Sequence, residues 1–78
     1  MTEKLMEYIR AGVGVDLLPL AESDGRFGGV LVGVSASRGC IKLTKKIPAS
    51  ELEDGGGAEL VGRTAEEMAR MVLSAAGG

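Results

Sequence analysis

The sequence predicts a small α+β domain, an antiparallel meander of three to four strands flanked by an N-terminal and a C-terminal helix, in the order α-β-β-β-β-α. Apolar residues recur at helical spacing near both ends of the chain, while the middle alternates apolar and polar residues with a period of two. The glycine turns Asp24-Gly25 and Arg38-Gly39 separate the alternating runs. Strands joined by turns this short pair antiparallel.

In the first segment Leu5 and Ile9 stand four apart with Met6 beside them, which makes one apolar stripe on a short helix. Thr2 is its expected N-cap and Gly12 its stop. A strand is expected from Val13 to Glu22, with Val13, Val15, Leu17 and Pro19 on one parity and Asp16 and Glu22 on the other. Pro19 cannot donate to a ladder, so this strand belongs at an edge or carries a bulge. Ser23-Asp24-Gly25-Arg26 is the hairpin turn. Gly28 to Ala36 reads as the central strand, with Val30, Val32 and Val34 on one face. In the next strand, Cys40 to Ile47, residues Ile41, Leu43 and Ile47 face the core, and Lys42, Thr44 and Lys46 face water.

Ser50 and Glu53 have capping-box spacing, but Gly55-Gly56-Gly57 limits that segment to a loop with a helical start. Ala58 to Gly62 is expected as a short fourth strand. Thr64 then caps the final helix with Glu67 reciprocating. Met68, Ala69, Val72 and Ala76 form its core face, widened by Met71, Leu73 and Ala75, and Glu66, Glu67, Arg70 and Ser74 face water. Residues 1-78 are expected to form a single α+β domain without internal repeats.

A chain of 78 residues builds one core, and a domain near this size buries only about 60% of its extended surface, so pairing with a copy or a partner would add useful stability. The aromatic content is 3%, Tyr8 and Phe27, so aliphatic side chains must fill that core. A net charge of -2 argues against the broad positive field of direct nonspecific nucleic-acid binding. Cys40 is the single cysteine, which excludes an intramolecular disulfide, and a cytoplasmic location is expected. Met1-Thr2-Glu3-Lys4 has neither the basic region nor the apolar run of a signal peptide, and no stretch reaches the ~20 apolar residues of a membrane span, so no membrane partner is expected.

No histidine is present, which removes the usual general base and the commonest zinc ligand. Cys40 as a nucleophile would need Arg38 or Lys42 to stabilise its thiolate, and a small apolar residue at a strand start is the better reading. The glycines match neither a P-loop nor a dinucleotide fingerprint, because the G-x-G at Gly12 and Gly14 precedes a strand instead of following one. Glu51, Glu53, Asp54 and Glu59 surround the glycine run without EF-hand spacing. The sequence therefore implies no catalytic residue, no cofactor and no metal.

The terminal Gly77-Gly78 is similar to the tail of ubiquitin-like sulfur carriers, which end in Gly-Gly for adenylation. Here the pair follows a helix, whereas in that family it follows a final strand. Helix termination accounts for the glycines.

What remains is charge segregation, with Arg38, Lys42, Lys45 and Lys46 on one strand and its turn, followed by Glu51, Glu53 and Asp54 on the next loop. These residues are the expected partner-binding set, because such segregation steers a chain onto a complementary surface. The sequence reading is a non-catalytic binding protein whose partner is a protein or a protein–nucleic-acid assembly, with a homodimer also open. In size and chemistry, though by no residue motif, the chain is similar to small phage and mobile-element inhibitors of host machinery such as anti-CRISPR proteins. The alternative is a small-molecule- or metal-binding accessory subunit of an enzyme.

Overall fold

In the computed structural model, which describes residues 2–53 and 55–77, the chain runs α1 (Glu3–Arg10), β1 (Val13–Ala21), β2 (Phe27–Ala36), β3 (Ile41–Pro48) and α2 (Gly57–Ala75). Short 3-10 turns at Arg38–Cys40 and Ala49–Glu51 complete it. The antiparallel sheet has the order β1-β2-β3. The expected α+β meander between two helices is therefore the observed architecture, with three strands.

The hairpin forms where Asp24-Gly25 demands it. Gly25 adopts φ 86, its amide donates to the Glu22 carbonyl at 2.9 Å, and the Asp24 carboxylate accepts from the Arg26 amide at 3.0 Å. The register shifts between Leu20 and Ala21, whose partners are Gly29 and Phe27, so Gly28 is the extra residue of a bulge. Pro19 lies on β1, an edge strand, where a residue lacking an amide is tolerated.

Register assigns the faces. Val15, Leu17 and Pro19 pair with Val34, Val32 and Val30, which pair in turn with Leu43, Lys45 and Ile47. Both helices cover this side. Val32 and Val34 of β2 and Ala69 and Val72 of α2 are fully buried, joined by Leu5, Val13, Ala36, Ile47, Ala65 and Met68. Each fully buried valine is worth roughly 2 kcal/mol. The opposite side of the sheet, carrying Asp16, Leu18, Leu31, Gly33, Lys42, Thr44 and Lys46, has no helix over it.

Four expectations need correction. Ala58 to Gly62 is not a fourth strand but the start of α2. The spacing Val61, Ala65, Met68, Val72 extends the helical stripe upstream past Gly62. Thr64 is consequently a buried residue inside α2 and no cap, since the N-cap is Gly56. In α1, Thr2 caps as expected, its hydroxyl accepting from the Leu5 amide at 3.0 Å. Its inward stripe, however, is Leu5 with half-buried Tyr8, while Ile9 and Met6 are exposed. The segment around Ser50 is, as expected, a loop with a helical start, the Ala49–Glu51 turn, formed without a side-chain cap. On α2, Met68, Ala69 and Val72 are buried as expected, but Met71 points to solvent.

Gly29 is the tightest glycine. At φ 132 an added Cβ would strike the Ile47 carbonyl oxygen and lie 2.9 Å from Pro48 Cα, so Gly29→Ala is expected to cost more than about 2 kcal/mol. Gly25 has nothing within 4 Å of such a Cβ, and Gly25→Ala should cost only about 1 kcal/mol of backbone strain. Denaturant melts of the two variants compare them directly, and equal losses would contradict this account of β2–β3 contact. Met68→Asp, which sets a charge between α2 and the sheet, should lose at least about 3 kcal/mol, against under about 0.5 kcal/mol for Glu66→Ala at the helix margin.

Candidate functional site

The sequence-expected basic residues do not converge. Lys42 and Lys46 of β3 pair with Ser35 and Leu31 and so share the helix-free sheet face, whereas Lys45 pairs with Val32 on the opposite face. Arg38 sits in the β2–β3 turn at one end of the sheet. All four are exposed. Glu51 and Glu53 are exposed on the connection after β3, and Asp54 lies outside the described residues. The lysines guard both faces of a free edge strand, which is the usual protection against edge pairing.

Cys40 is exposed in the same turn, where it follows Gly39 (φ 79) and itself adopts φ 52. Among the described residues no cluster of three or more His, Cys, Asp and Glu side chains could hold a metal ion. No helix among them is long and apolar enough to cross a membrane. Where α1 meets α2, Lys4, Tyr8, Arg63, Glu66, Glu67 and Arg70 form a shallow, mixed-charge depression, with Lys4 Nζ 5.5 Å from the Tyr8 ring centre.

The more distinctive feature is one that sequence reasoning missed. A groove of about 480 Å³ runs between the β1–β2 hairpin and the first half of α2. Val15, Leu17, Phe27 and Val30 line it from the sheet, Gly57, Ala58, Val61, Gly62 and Ala65 from α2, and Leu5 and Leu52 complete the lining. Among the described residues no charged or polar side chain lines it. The groove is open because α2 presents glycine and alanine there, so the helix does not reach the hairpin residues opposite. Leu17 and Phe27 are left 56% and 51% exposed. The sequence signal was the run of small residues at 57, 58, 62 and 65, legible only once those positions are known to share a helix face.

Compared with models of known protein families, with curated proteins and with solved structures, the chain matches none.

The positive φ of Cys40 yields a test of whether that position serves packing or backbone shape. Cys40→Gly should be neutral or stabilising, because glycine adopts φ 52 without strain. Cys40→Val should lose about 1–2 kcal/mol, as a branched residue resists that region. Equal melting temperatures for the two would show that the turn is not held in this conformation.

Proposed function

We propose that this chain is a non-catalytic binding protein that occupies the surface of a partner protein, and that its docking site is the apolar groove between the β1–β2 hairpin and α2. The observation that carries this reading is that every described residue lining the groove is apolar, Leu17 and Phe27 among them half-exposed. Contiguous exposed apolar surface of this kind marks interaction sites, and its volume falls within the roughly 300–1,000 Å³ of binding clefts. Apolar side chains of the partner fill the space that α2 leaves, while the charges of β3 set the approach. Lys42, Lys46 and Arg38 act on association rate more than on the bound state, as expected for exposed charges. An inhibitory effect follows wherever the covered surface is one that the partner needs for its own activity.

The test is capture of the partner by the tagged chain, compared across variants that keep the fold. Leu17 and Ala58 are exposed, so Leu17→Glu and Ala58→Glu should leave the melting temperature within a few degrees while abolishing capture. Lys42→Glu with Lys46→Glu should slow association in low salt and matter less as salt rises, since screening acts within ~10 Å at ordinary ionic strength. Retention of the partner by both groove variants would overturn the assignment. Recovery of a bound lipid or other apolar small molecule from the wild type, lost in Ala58→Glu, would redirect it to ligand carriage.

A further inference from the structure

The groove opens beside an unpaired strand edge. Pro19 has no amide, and on an edge strand its nitrogen points away from β2. The even-numbered side of β1 is the inward one, because the Glu22 amide continues the ladder by donating to the Arg26 carbonyl at 2.7 Å. Alternation then directs the amides and carbonyls of Val15 and Leu17 outward, away from β2. Their side chains line the groove. One stretch of β1 thus offers free backbone hydrogen-bonding groups and, on the helix side, an apolar trough.

Charge says what that edge accepts. Asp16, between Val15 and Leu17, faces the helix-free side opposite Gly33 and forms no ion pair among the described residues. The exposed Glu51 and Glu53 are the chain neighbours of the lining residue Leu52, and the exposed Glu59 follows the lining residue Ala58. A second copy fits poorly. Antiparallel pairing of β1 with its own image about Asp16, the centre of the free stretch, sets that carboxylate directly opposite its counterpart, and like charges so placed destabilise a sheet. The other edge, β3, carries lysines on both faces.

We infer that β1 takes up an extended peptide segment of the partner protein as a fourth strand, a segment in which apolar residues alternate with lysine or arginine. Backbone bonds to Val15 and Leu17 supply affinity. The apolar side chains enter the groove about 5 Å from β1, and the interleaved cation lies opposite Asp16. This rests on the groove being the docking site.

The probe is a short blocked peptide of alternating valine and lysine, with alternating valine and glutamate as its control. Binding should be saturable, should protect the Val15 and Leu17 amides from hydrogen exchange, and should favour the lysine peptide by roughly tenfold in low salt. Asp16→Lys, an exposed substitution that leaves the fold intact, should reverse the preference between the peptides. Equal affinities for both peptides, protection at β3 instead of β1, or a wild-type dimer whose β1 amides are already protected would each overturn the inference. If partner capture is lost in Ala58→Glu while the β1 amides of the complex exchange as in the free chain, strand addition fails and docking in the groove stands.

Discussion

The contact between β2 and α2 is the constraint from which the rest of the structure follows. Val32 and Val34 on the strand and Ala69 and Val72 on the helix have no exposed surface. No aromatic residue belongs to this buried cluster. A core made of branched and small aliphatic side chains has little volume per residue, so helix and sheet must approach closely. That explains why α2 carries alanine and glycine along much of its inner face, and why β2 needs a neighbour on each side to satisfy a backbone buried at the centre.

Once β2 is central, the remaining problems are two strand edges and one uncovered sheet face, and the chain treats the edges differently. On β3, lysines 42, 45 and 46 fall on both faces, so a strand approaching that edge meets charge whichever way it lies. On β1 the protection is thinner. Pro19 removes one donor, but Gly14, Val15, Asp16 and Leu17 precede it with a single charge among them. The asymmetry is physical rather than decorative, since an edge carrying alternating apolar side chains is a template for a further strand unless something opposes it.

The sheet was readable because each strand obeys a period of two and each turn has its own chemistry. Asp24-Gly25 and Arg38-Gly39 both sit where the backbone turns with positive φ, and Pro19 foretold an edge. Helix boundaries were less legible. Gly62 looks like a break because glycine lowers helix propensity, yet in α2 it is buried, with Thr2 Cγ2 at ordinary contact distance, 3.5 Å, from where its Cβ would be. Burial of the α2 face on either side of it outweighs the propensity cost. The groove is hidden in the sequence for the same reason, since a strand expected over Ala58 to Gly62 separates residues that α2 brings onto one wall. The basic residues were visible as a run in sequence, but strand alternation divides them between two faces, so contiguity along the chain did not become contiguity in space.

The groove poses the final physical question, which is why α2 stays small beyond the point where packing requires it. Gly62 and Ala65 are buried and answer to the core. Ala58 is exposed, and a leucine or methionine there, at a small cost in helix propensity, would put more apolar surface into the groove that Leu17 and Phe27 line. Filling the space would also remove apolar surface from water at about 25 cal/mol per Å². A chain selected only for its own stability gains by that substitution. Leaving Leu17 and Phe27 half in water, across from a helix face that is glycine and alanine except at Val61, makes sense when the missing apolar surface arrives from another molecule. The stability of the isolated chain and its capacity to bind are then set by the same side chains.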